Sequence, residues 1–213
     1  MFQDTVQRII LTAPPILFAL TVHECAHAWV AWKMGDPTAK MLGRVTLNPI
    51  RHLDPIGTIA LFFSGLFGWA KPVPINPANF RNYKKGMVLV ALAGPLSNLL
   101  LAAFFSLVHK SVFMFSPGFI LGSPGLSRPL LMMLEMSIIL NVSLAVFNMI
   151  PIPPLDGSRV LSNLLGGANS LAFERLERYG FVILIVLIAS GLVNRIMSPL
   201  VFLTAGLLVG GSF

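Results

Sequence analysis

Apolar residues in this chain come in long runs rather than in alternating or one-faced patterns. The runs fall at about 9–32, 56–70, 87–109, 130–155 and from 179 to the end. The first, third and fourth are long enough to cross a hydrocarbon layer of roughly 30 Å as helices. The second, PIGTIALFFSGLFGWA, is short and flanked by proline and tryptophan, which predicts a re-entrant or interfacial segment. The last is broken by Asn194, Arg195 and Pro199 and predicts one long tilted helix or two short ones. The pattern predicts an all-α polytopic membrane protein. It is a helical bundle with core helices at 9–32, 87–109 and 130–155, an extended or re-entrant membrane-associated region at about 40–80, and one or two C-terminal helices at about 179–211. A single integral-membrane domain is expected over 1–213.

Composition supports lipid as the solvent: 55% of the 213 residues are hydrophobic and only 11% charged, against about 25% charged in a soluble domain. The net charge of +7 would suggest nucleic acid in a soluble protein. Here no basic and aromatic stripe accompanies it, so no nucleic-acid partner is expected. The charge is instead a topology signal. If 56–70 re-enters on the side it left, Lys33, Lys40, Arg44, Arg51, Lys71, Arg81, Lys84, Lys85, Arg159, Arg175 and Arg178 share one face, opposite only Lys110 and Arg128. That bias predicts an external N-terminus and cytoplasmic charged loops. The single cysteine, Cys25, cannot form an internal disulfide. The N-terminal residues lack a basic stretch with a small-residue cleavage site and are expected to run on into the first helix.

The connection GWAKPVPINPANFRNY differs in kind, because Pro72, Pro74 and Pro77 forbid a regular helix and leave an extended chain. It reads either as an edge that could pair with an unwound peptide or as a rigid proline-rich loop. Phe62, Phe63 and Phe67 face lipid or the bundle core, and Cys25 packs against a neighbouring helix. Gly94 and Asn98, one turn apart, allow close helix approach.

Three ionisable side chains stand out inside the first apolar run, in TVHECAHAW. His23 and His27 lie on one helix face at i and i+4 and can point at one ion, zinc by the HExxH pattern. Glu24 sits about 100° round the helix, able to act on a water at the ion as a general base without ligating it. The competing reading, packed polar residues in a bundle, is weak in lipid because ionisable groups there are costly. A catalytic zinc needs a third protein ligand, and the candidates are His52, Asp54, His109, Glu135 and Asp156. Topology puts His109 and Glu135 on the opposite face. Asp156, in NMIPIPPLDGSRV, lies on the same face as His27, where prolines 151, 153 and 154 break the helix and Gly157 permits a sharp turn. Its competing reading is an ordinary Asp-Gly turn.

HECAH (23–27), NPIRHLDPIG (48–57), AGPLSN (93–98) and NMIPIPPLDG (148–157), in that order, resemble the site-2 protease family of intramembrane zinc metalloproteases. The likeness covers about 20–160 and is nearest to small prokaryotic members without a PDZ domain or CBS pair. It implies zinc held by His23, His27 and Asp156, with Glu24 as base. Asn148 would stand near the reacting centre, where a neutral amide can bond a substrate carbonyl or oxyanion; packing against a neighbouring helix is its other reading. His52 and Asp54 recur in the motif, as a clamp near the metal or as loop structure. The expected partners are a transmembrane protein or peptide substrate and the lipid bilayer. The expected setting is the plasma membrane of a prokaryote, with the site nearer the cytoplasmic face. Family members cleave membrane-tethered regulators, anti-sigma factors or remnant signal peptides, and nothing in the sequence selects among these or fixes an oligomeric state. A metal transporter and an inactive scaffold are the rival functions.

Overall fold

Long apolar stretches satisfy their backbone polar groups internally only as helices when water is absent, and helices dominate the chain. The computed structural model describes residues 2–57, 59, 70–115, 117–165 and 167–210. The helices are α1 (Phe2–Met34), α2 (Thr38–Met41), α3 (Tyr83–Phe115), α4 (Pro117–Gly122), α5 (Pro124–Asn148), α6 (Asp156–Leu165), α7 (Gly167–Ala189) and α8 (Leu192–Val209). Short 3-10 turns stand at Pro49–Arg51 and Pro77–Asn79, and no strand forms among the described residues beyond an isolated antiparallel bridge between Leu53 and Ala70. Three described helices, α3, α5 and α8, are long and apolar enough to cross a membrane. The re-entrant reading of 56–70, with Phe62, Phe63 and Phe67, falls mostly outside the described residues.

The chain clusters into two units. One comprises Met1–Ala19, Asn98–Phe147 and Ile185–Phe213. Its core joins Ala102, Val142 and Val201, with Ile139, Val146, Met197 and Leu208 packed around them. Apolar packing alone leaves helices free to slide in lipid, and polar pairs fix them. The fully buried Asn98 donates to the Ala19 carbonyl at 3.3 Å and to Asn141 Oδ1 at 2.9 Å, and Asn141 donates to the Ser137 carbonyl at 2.8 Å. Ser106 Oγ donates to the Leu208 carbonyl at 2.6 Å. His109 and Glu135 pair with each other at 3.3 Å.

The second unit comprises Leu20–Ser97 and Asn148–Leu184, and the end of α1 organises it. The Asp36 amide donates to the Ala31 carbonyl and the Gly35 amide to the Trp32 carbonyl, the paired bonds of a Schellman cap. Gly35 holds φ +115°, and a Cβ there would lie 2.8 Å from the Asn79 carbonyl oxygen. Asp36, wholly buried, then accepts from Thr38 N (3.1 Å), Thr38 Oγ1 (2.5 Å), Asn76 N (2.7 Å) and Asn79 Nδ2 (2.8 Å). Above these bonds, Ala31, Phe80 and Val90 form a core with Val30, Met34, Ile75 and Met87.

Residues 71–76 run without regular structure, as their prolines require, and both ends of the segment are hydrogen-bonded within the chain. The Lys71 amide donates to the His52 carbonyl at 2.8 Å, and Arg44 takes the Lys71 and Pro72 carbonyls at 2.5 and 3.2 Å. With Asn76 N on Asp36 the segment is tied at both ends, while between them Val73 and Ile75 make no backbone hydrogen bond to the described residues, so it is an anchored loop with a short edge at its middle.

Burial raises the Asp36 carboxyl, but its hydrogen bonds from Thr38, Asn79 and Asn76 outweigh that and hold it below the usual carboxylate range. A carboxyl that titrates below its unfolded value of about 3.9 adds stability above that pH, lost as pH falls through the folded value. Asp36→Ala should therefore cost about 3 kcal/mol, read as a lower Tm in detergent at neutral pH. The gap between wild type and variant should narrow below about pH 4.

Candidate metal centre

α1 carries His23 and His27 one turn apart, and their Nε2 atoms stand 3.0 Å from each other. Two imidazole nitrogens at that distance repel unless one donates a proton or a cation sits between them. His27 Nδ1 donates to the Val90 carbonyl at 2.6 Å, which leaves a lone pair on its Nε2 and fixes the tautomer that a metal ligand needs. Asp156 Oδ2 lies 3.3 Å from both Nε2 atoms. That oxygen is buried without a hydrogen-bond partner, a costly state for a carboxylate unless a cation takes it up. For Zn–N and Zn–O bonds of about 2.0–2.1 Å, tetrahedral ligands stand roughly 3.3 Å apart. The three observed separations match that spacing to within a few tenths of an ångström, so the residues present fit the ion. All three side chains are buried, and they form the only group of three or more potential metal-ligating His, Cys, Asp or Glu residues among the described residues.

Asp156 arrives by a local break in the chain. α5 stops at Asn148, ahead of the proline loop 149–155. Asp156 is thus not the tail of the fourth apolar segment but the first residue of α6; the turn falls at 153–154, and Gly157, expected to make it, is helical and serves instead by its lack of a side chain. A Cβ on Gly157 would strike the Met149 carbonyl, with the Ile150 carbonyl oxygen 2.8 Å away. Gly180 in α7 likewise leaves room for Pro153.

Gly94 has a sharper role than helix approach alone. A Cβ there would lie 2.5 Å from His23 Cε1 and Nε2, and closer still to His27 Nε2. α3 therefore presents a bare backbone to the imidazole pair and, one turn earlier, the Val90 carbonyl that orients it.

The sequence of the chain aligns with the profile of peptidase family M50 over residues 125–191. It is 42% identical over 189 residues to "Putative zinc metalloprotease YwhC" of Bacillus subtilis, a match spanning 87% of this chain and 83% of that one. The chain belongs to peptidase family M50. That is the site-2 protease family its motifs resemble, and with its apolar helices it makes the protein a membrane peptidase. A second relative, "Putative zinc metalloprotease Rip2" of Mycolicibacterium smegmatis, is 29% identical over 198 residues, covering 87% of this chain and 69% of that one. "Putative zinc metalloprotease MJ0611" of Methanocaldococcus jannaschii is 40% identical over 72 residues, 34% of this chain and 31% of that one. No solved structure matches the chain.

The remaining motif residues of this M50 peptidase occupy separate places. Glu24 is half-buried on α1 beside His23, close enough to His27 and to Arg44 for its charge to act on both. Asn148 is the last residue of α5 and half-buried. His52 is buried in the loop after α2 with its Nε2 2.8 Å from the Thr46 carbonyl oxygen, and Asp54 Oδ1 accepts from the Gly57 amide at 2.9 Å. Those contacts fit loop structure for both, and neither joins the His23–His27–Asp156 group. His109 and Glu135 satisfy each other in the other unit. Nothing in the pattern of the chain singles out Arg44 or the Val90 carbonyl, because their roles arise from contacts between distant segments.

Gly94→Ala should drive a methyl group between the imidazoles. The expected result is metal affinity lowered about ten-fold or more, the scale of losing a residue that supports a ligand. Metal content after dialysis checks this, with circular dichroism expected to show the helices intact.

Proposed function

We propose that this M50 peptidase is a zinc enzyme that hydrolyses peptide bonds within or next to transmembrane segments of membrane proteins, the chemistry of regulated intramembrane proteolysis. His23, His27 and Asp156 hold the ion, Glu24 is the general base, and Asn148 hydrogen-bonds the substrate carbonyl or oxyanion. The observation that carries the reading is the buried Asp156 Oδ2, without a hydrogen bond and 3.3 Å from both imidazole nitrogens, on helices built for lipid. Zinc is the ion named for the relatives of this chain, and the donor set of two imidazoles and one carboxylate suits it.

When bound, zinc supplies the Lewis acidity that polarises a scissile carbonyl and makes water acidic near neutral pH. Glu24 takes the proton of the attacking water and returns it to the leaving amine, so the carboxylate ends each cycle as it began. The Val90 carbonyl keeps His27 in its ligating tautomer throughout. An amide donor at Asn148 meets growing negative charge on the carbonyl oxygen without adding net charge to a poorly screened site. Helical backbone hides its carbonyls, so the substrate must unwind locally before Glu24 can serve it.

The bias of basic residues toward one set of loops supports a site nearer the cytoplasmic face of the plasma membrane, with the N-terminus outside. Membership of a peptidase family weighs against the transporter reading. Glu24→Gln tests the enzyme against an inactive scaffold: zinc should stay bound, while cleavage of a membrane-spanning substrate falls by about 10²–10⁴-fold. Hydrolysis at the wild-type rate would sink the general-base role. Asp156→Ala, by contrast, should lose both zinc and cleavage, as metal analysis beside the same assay would show.

A further inference from the structure

Residues from 42–53 and from 71–74 line a half-open groove of about 740 Å³. Arg44, Asn48, Arg51 and Lys71 line it together with apolar walls that include Leu42 and Ile50. None of its lining residues is acidic. Arg44 is the unusual member. Only 5% exposed, it has one guanidinium nitrogen on each of the Lys71 and Pro72 carbonyls, while its Nε is buried without a hydrogen-bond partner. Arg51 and Lys71 are exposed. Three cations thus line one concavity whose walls carry no carboxylate, Glu24 acting on Arg44 from outside the lining, and a guanidinium fork suits phosphate oxygens.

The surroundings say what kind of phosphate. Met41 is 80% exposed, Ile50 77% and Leu47 61%, an apolar fringe that water does not favour and the acyl region of a bilayer does. At the end of α1 the Lys33 ammonium lies over Trp32 at 4.8 Å and the Lys40 ammonium over the same ring at 3.6 Å. Tryptophan and lysine so placed mark the headgroup level of a membrane.

We propose that this groove binds the headgroup of an anionic phospholipid, its phosphate among Arg44, Arg51 and Lys71 and its acyl chains along Leu42 and Ile50. The site is distinct from the histidine–aspartate group and does not depend on the zinc reading. A lipid held there would pin the loop following the metal-bearing helix at the membrane surface.

The test uses the full chain with zinc bound, reconstituted in phosphatidylcholine vesicles with or without phosphatidylglycerol. Lipid retained on the protein is counted by native mass spectrometry. Wild type should retain phosphatidylglycerol in preference to phosphatidylcholine. Arg51→Gln with Lys71→Gln should lower that preference on the order of ten-fold, given the attraction per basic residue near an anionic surface. Both side chains are exposed, so helicity and zinc content should be unchanged. Lys84→Gln with Lys85→Gln, exposed but outside the groove, should leave the preference intact. No preference in wild type, or equal losses in the two double variants, would overturn the site. So would displacement of the lipid by inorganic phosphate at equal concentration, which would assign the groove to the free ion. Displacement by a soluble glutamate-rich peptide would overturn it as well and assign the groove to a protein segment.

Discussion

A polar atom buried away from water must find a partner inside the protein, and this constraint shapes nearly every feature of the chain. Asn98 answers to Asn141 and Ala19, Ser106 to Leu208, His109 to Glu135, and Asp36 takes four donors. Against that background the exceptions are informative. Among the described residues, the buried side-chain atoms left without a hydrogen bond are Arg44 Nε, His52 Nδ1 and Asp156 Oδ2. One of these three, Asp156 Oδ2, lies 3.3 Å from two imidazole nitrogens, where a cation fits.

The two units use polar contacts differently. In the unit built from Asn98–Phe147, hydrogen bonds between small polar side chains and carbonyls hold apolar helices in register. In the unit built around Leu20–Ser97, a single carboxylate, Asp36, ties a helix end to an extended segment some forty residues later. Asp36, Arg44 and His52 each tie backbone of the connection after α1, at Asn76, at Lys71 and Pro72, and at Thr46, so side chains hold it where regular structure does not.

Much of the site is legible in the sequence because it follows helical spacing. His23 and His27 share a face by periodicity, and Glu24 is displaced from that face by the same rule. Asp156 can be reached by topology, since the prolines before it end an apolar run on the correct side. The pattern does not reveal that Asp156 begins a helix of its own. What stays hidden is contributed by absence or by backbone. Gly94 matters for the side chain it lacks, and Val90 for a carbonyl that every residue type possesses. The Asp36 hub is hidden for a similar reason: its partners lie near in sequence at Thr38 and far away at Asn76 and Asn79. The fold class was easier to read, because apolar runs of that length have few structures open to them in lipid.

Val90 and Gly94 lie four residues apart on α3 and meet the same imidazole pair, one with a hydrogen bond and the other with empty space. Sliding α3 by a single residue, about 1.5 Å along its axis, would carry the bond acceptor away and bring a side chain into the gap. The proposed metal centre would thus work as a ruler for the two helices: how firmly an ion is held there would report, to within one residue, how they are aligned.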